Sequence, residues 1–189
     1  MPIAHPSRVN FFVAAGLVAL AAMGVAGCAA QVPTPSIGAH ADPELEAQFP
    51  EAIHGEPFSV ETYTDADTLR VLGVGQAFLD AVGVPISDVS VAVADHDMTS
   101  GRPMHLTATA FRARGAQAED LAAYFVPVME GQSEGVSFSR VRFGDKTVWR
   151  PRGNPIAVGG NVLYVRDDTA YLIYGNRRGA TNQLLALLP

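Results

Sequence analysis

The chain has 189 residues with 13 basic and 19 acidic side chains, a net charge of −6 with histidine neutral, and a single cysteine. That balance leaves no electrostatic footprint for nucleic acid, and one cysteine excludes an intrachain disulfide framework. The basic set of 13 is almost all arginine, which points to high-GC coding before it points to chemistry.

Residues Met1 to Asn10 carry Arg8 and no acid, and Phe11 to Gly27 runs without a charge. This is the layout of a secretory signal. An uncharged run of 17 residues is at the short end for a bilayer core of about 30 Å, and its Ala and Gly content lowers its hydrophobicity further. No Arg-Arg pair precedes it, so general secretion is favoured over the twin-arginine route.

The run closes with Val25-Ala26-Gly27-Cys28. The tetrapeptide resembles the lipobox of bacterial lipoproteins. What the resemblance implies is diacylglyceryl transfer to the Cys28 thiol, cleavage before Cys28, and a lipid anchor on the extracytoplasmic side of the cell membrane. With Arg8 removed, 12 basic against 19 acidic residues leave the mature chain at −7. The domains expected are therefore a signal peptide over 1–27, a lipidated Cys and flexible tether over 28–42, and one globular domain over 43–189. As a coil the 14 residues after Cys28 reach roughly 20 Å. Beyond the lipobox the chain resembles exported domains of high-GC bacteria, from which no functional residue carries over.

Asp42-Pro43 reads as an N-cap followed by proline at the first helical position, with Leu45 and Phe49 on one face and Pro50 as the stop. Phe58, Val60 and Thr62 alternate with polar neighbours and predict the first strand, over Pro57 to Thr64. Val71, Val74, Phe78 and Val82 predict one helix from about Asp67 to Val82, closed by Gly83 and Pro85. Strands are predicted over Asp88 to Ala94 and Met104 to Ala113. The series Ala118, Leu121, Ala122, Phe125, Val128, Met129 predicts an amphipathic helix ended by Gly131, with Pro127 kinking its last turn.

Two hairpins follow. A Gly144-Asp145 turn pairs Val141 with Val148 and Arg140 with Trp149; an Asp167-Asp168 turn pairs Val165 with Ala170, Tyr164 with Tyr171 and Leu163 with Leu172. The second hairpin is apolar on both faces, which predicts cover on both. Thr181 is expected to cap a final helix that docks Leu184, Leu185 and Leu188. The fold class expected is α+β: an antiparallel sheet with helices packed mainly on one face, in ferredoxin-like β-α-β-β-α-β order extended by two C-terminal hairpins and a short helix. The alternative is a strongly curved sheet wrapped around one helix.

Two residue sets stand out chemically. Asp95, His96 and Asp97, with His105 beyond, combine imidazole and carboxylate as divalent-metal ligands do, although successive strand residues point to opposite sides. A polar hairpin loop is the plainer account of them, and no metal is expected. Arg140, Arg142, Lys146, Arg150 and Arg152 reverse the sign of an acidic chain, and with Trp149 beside Arg140 they make a patch for an anionic or carbohydrate ligand or a partner protein. A solvated face whose arginine stems cover a tryptophan is the plainer account.

No G-x-S-x-G elbow occurs, Gly73-Val74-Gly75 lacks the third glycine of a dinucleotide fingerprint, and the Asp65/Asp67 and Asp167/Asp168 pairs suit turns. No cofactor is expected. The function expected is a membrane-anchored, non-catalytic binding or interaction module; the alternative is a carrier of an apolar ligand such as a lipid, and a metal-dependent enzyme is third.

Overall fold

The computed structural model describes residues 40–96, 106–132, 135–152, 161–176 and 178–189. Residues 1–39, on which the expected signal peptide, Cys28 and most of the expected tether fall, lie outside them, as do Asp97 and His105. The described residues belong to one compact unit.

The first helix of the described residues is the four-residue α1 (Pro43–Glu46), whose N-cap Asp42 accepts the Leu45 N–H at 3.1 Å. Leu45 and Phe49 are buried, as their spacing predicts. A short strand β1 (Ala52–Ile53) then pairs with β2 (Glu56–Tyr63). The two-residue link between them, His54 at φ 54° and Gly55 at φ 79°, has the doubly positive φ of a type I′ hairpin. Period-2 reading finds β2 but passes over β1, which has only two residues.

The single helix expected from about Asp67 to Val82 is two helices, α2 (Ala66–Val71) and α3 (Gln76–Val82). Gly73, at φ 100°, turns the chain between them and leaves Val71 87% exposed while Leu69, Val74, Phe78 and Val82 stay buried. The break sets the topology. Six and seven residues of helix reach only ~9 and ~10 Å, whereas the eight-residue β2 is ~26 Å long. Neither helix spans the strand, and β3 (Val89–His96) runs antiparallel beside β2.

β3 leads to β4 (Leu106–Ala113), helix α4 (Ala118–Gly131), the hairpin β5 (Ser137–Phe143) and β6 (Lys146–Arg152), the hairpin β7 (Val162–Arg166) and β8 (Thr169–Gly175), and helix α5 (Arg178–Leu187). α4 continues through Pro127 to Gly131. Both hairpins have the predicted register, including Arg140 opposite Trp149 and Tyr164 opposite Tyr171. Thr181 does not cap α5: the helix starts three residues earlier, at Arg178, and Thr181 is buried inside it.

The strands form one antiparallel sheet in the order β1-β2-β3-β4-β8-β7-β6-β5. The α+β class with an antiparallel sheet is thus observed, but the sheet order does not follow the ferredoxin-like one. The strands flanking α2 and α3 are direct antiparallel neighbours, which leaves no gap for an interleaved strand, and β5 lies at the far edge.

Helices also cover both faces rather than mainly one. Phe78, Leu121, Phe125 and Met129, from α3 and α4, pack with Val91, Phe111, Leu163 and Leu172 on the first face. Leu45 and Phe49 from the α1 region, with Leu184 and Leu185 from α5, pack with Ala92, Ala108, Tyr171 and Ile173 on the second. The doubly apolar β7–β8 hairpin is the physical reason, because each of its faces must be removed from water. The sheet is accordingly sandwiched between helices and is not curled around one. No helix among the described residues is long and apolar enough to cross a membrane.

Candidate functional site

Strand β6 ties the two C-terminal hairpins together through only two ladder pairs, Val148 with Tyr164 and Trp149 with Leu163. Toward the hairpin tips Lys146 and Thr147 have no ladder partners in β7, and there the hairpins bound a groove of about 580 Å³. The N-terminal turn of α4 contributes Ala118 and Glu119, and the C-terminal Pro189 closes the other side.

Three cations, Arg140, Lys146 and Arg166, line the groove with the rings of Trp149 and Tyr164. The Arg140 Cζ lies 5.3 Å from the centre of the Trp149 ring, and the Lys146 Nζ lies 5.9 Å from that of Tyr164. Such contacts hold a cation over an aromatic face without neutralising it. Among the described residues Arg140 and Lys146 have no acidic partner, whereas the Arg166 Nε lies 3.4 Å from Asp167. Tyr164 stacks on Tyr171 at 5.5 Å and donates its hydroxyl hydrogen to the Pro189 carbonyl at 2.7 Å, which fixes its ring. Burial pushes the Tyr164 hydroxyl up, so it stays neutral at physiological pH. Glu119 and Asp145 also border the space, and among the described residues neither histidine nor cysteine lines it.

The predicted basic patch divides between the two sheet faces. Arg140 and Trp149 face the groove together. Arg142 turns its Nε to the Gly144 carbonyl at 3.1 Å, closing its own hairpin turn. Arg150 points to the opposite face, where its Nη2 donates to Asn182 Oδ1 of α5 at 2.6 Å. Alternation along β6 is the cause: residues 146, 148 and 150 share one side and 147 and 149 the other. Lys146 reaches the groove because that space passes through the parted strands. Of the four candidate metal ligands, Asp95 is an exposed residue of β3 paired with Ser59 and Thr107, and His96 ends the same strand. Asp97 and His105 lie outside the described residues, and among the described ones no three His, Cys, Asp or Glu residues are grouped to hold a metal.

A polar cluster at the start of the domain escapes sequence reading. Asp42 is 3% exposed and receives the Ser90 hydroxyl, the Leu45 N–H and Arg114 Nη2, the last at 3.0 Å. Arg112 bridges Asp42 at 3.5 Å and Glu44 at 3.2 Å. Burial alone would raise the Asp42 carboxyl, but the Ser90 hydroxyl, the Leu45 N–H and the two guanidiniums outweigh it and hold Asp42 below the ordinary carboxylate range. Asp42 is recognisable in sequence as an N-cap; its partners 48 and 72 residues away carry no local signal. With its oxygens engaged by these donors, the group acts as a clamp between α1 and the sheet.

No protein-family model, curated protein or solved structure matches this chain.

Proposed function

We propose that the chain is an exported lipoprotein, held on the extracytoplasmic side of the membrane through lipid on Cys28, whose domain binds an anionic ligand in the groove between the two C-terminal hairpins. The observation that carries this reading is the meeting of Arg140, Lys146 and Arg166 with the Trp149 and Tyr164 rings around about 580 Å³, within the size range of small-molecule sites. Arginine forks suit carboxylate or sulfate groups, and ring faces suit the apolar side of a sugar, so an acidic saccharide fits the set.

The reading is one of binding rather than reaction. Around the cations and ring faces of the groove the described acids are Glu119 and Asp145 alone, and no described histidine or cysteine joins them as base or nucleophile. An apolar carrier is less favoured, since the doubly apolar hairpin is filled from both sides by helices and the groove itself is charged.

Trp149 is the only tryptophan, so its fluorescence reports on the groove alone. Titration with trigalacturonate is expected to change its emission saturably, with maltotriose, a neutral trisaccharide, as the inactive control. Arg140→Gln should weaken binding about tenfold by removing a charge-assisted pair. Equal response to both sugars, or none to either, would overturn the reading.

A further inference from the structure

Arg150 occupies a different environment from the groove cations. It leaves β6 on the face covered by α5, donates to Asn182 Oδ1 at 2.6 Å, and its Cζ lies 5.4 Å from the centre of the Phe143 ring. Arg178, the first residue of α5, stands one helical turn before Asn182 on the same side of the helix, and its positive charge acts on Arg150. Burial first, and Arg178 second, pull the Arg150 guanidinium below its ordinary range. Among the described residues no ion pair includes Arg150 or Arg178. The chain also holds no acid over residues 146–166 or 169–189, so none is supplied by the neighbouring sequence.

A half-buried guanidinium facing a second positive charge repels it weakly through solvent, and an oxyanion bound to both turns that repulsion into attraction. Asn182 uses one of the five N–H donors of Arg150, whose guanidinium carbon lies over the Phe143 ring, and among the described residues no other hydrogen bond of the fork is seen, which leaves further donors for a ligand. Asn182, accepting through Oδ1, retains its Nδ2 hydrogens as donors.

We propose that Arg150, Arg178 and Asn182 form a second site, on the sheet face opposite Trp149, that binds a phosphate-type oxyanion. Arg150 supplies a planar fork, Arg178 the second charge, and Asn182 both the positioning bond and an additional donor. The site stands independently of the groove, because it uses different residues and the other side of β6.

The test is nuclear magnetic resonance of the purified full chain, following the Arg150 Nε–Hε and Asn182 Nδ2 signals. One arm adds inorganic phosphate, and the other adds glycerophosphoglycerol, the phosphodiester of a lipid headgroup without its acyl chains. Saturable shifts in at least one arm are expected; response to phosphate alone identifies a free phosphate or monoester, and response to the diester identifies a headgroup. Arg150→Gln and Arg178→Gln should each weaken binding about tenfold, and Arg150→Lys should weaken it several-fold by keeping charge but losing the fork. Arg178 is exposed, so its variant separates lost binding from lost folding. Arg140→Gln, which weakens binding in the groove, should leave these shifts unchanged, so the two sites fail separately. Absence of saturable shifts in both arms, or unaltered affinity in both glutamine variants, overturns the proposal.

Discussion

Arg114 holds Asp42 at 3.0 Å across 72 residues of chain, joining the end of β4 to the residue that starts the first helix. The start of the folded domain is thereby fastened to the middle of the sheet. Replacing Asp42 by Asn removes the charge that faces Arg112 and Arg114, and is expected to cost about 3 kcal/mol in denaturant unfolding. The same carboxylate sets an acid limit. Its folded pKa lies below the ordinary 3.8, so its contribution is present above that value and is lost as pH falls through the depressed one. Acid unfolding of the native chain should therefore steepen below about pH 4, and Asp42→Asn should lack that component.

Phe78 is 1% exposed and touches Phe111, Tyr124 and Phe125 at ring separations of 6.1, 5.2 and 5.7 Å. It joins α3 to α4 over the sheet. Phe78→Ala leaves a cavity that these rings cannot close, and a loss of about 3–5 kcal/mol is expected in calorimetry or denaturant titration. Val71, 87% exposed on α2, is the matched control: Val71→Ala should change stability by less than about 0.5 kcal/mol.

Tyr63, Tyr124, Tyr164, Tyr171 and Tyr174 all titrate above their ordinary value, with burial the first cause for each. Tyr63, which also donates to Glu61, is pushed up to about 12. A raised folded pKa contributes stability that is complete below the unfolded value of 10.0 and is lost as pH rises through the folded one. Near-ultraviolet titration should show little tyrosinate at pH 10, followed by a cooperative rise as the alkaline chain unfolds. Ionisation of half the tyrosines at pH 10 in the folded state would contradict this.

Cys28→Ala should release the protein from membranes into the soluble fraction. Two acyl chains at about 0.8 kcal/mol per buried CH₂ hold a protein stably, whereas residues 28–189 without them would carry −7 and be repelled on average by an anionic bilayer. Fractionation of cells expressing each form measures it, and unchanged membrane association of the variant would refute lipid anchoring.

Local chemistry is what the amino-acid sequence determined by itself. Asp42 as an N-cap, the Gly144-Asp145 and Asp167-Asp168 turns, the pairing of Arg140 with Trp149 and the apolar stripe of α4 are all legible because each signal lies within about 20 consecutive residues. The double apolar character of the β7–β8 hairpin likewise foretold its place inside the sheet. Tertiary structure decided the rest. Gly73 split one expected helix into two, the chain returned antiparallel beside β2, and β8 rather than β5 came to lie next to β4. Helices consequently reached both faces of the sheet, and α5 brought Asn182 to Arg150, which alternation along β6 had already turned away from Arg140. The parting of β6 from β7 that opens the groove, and the meeting of Asp42 with Ser90 and Arg114, depend on which distant segments share a face. Turn chemistry and side-chain period act over a few residues, whereas strand order and the division of charge between faces are set by burial of both sides of the sheet at once.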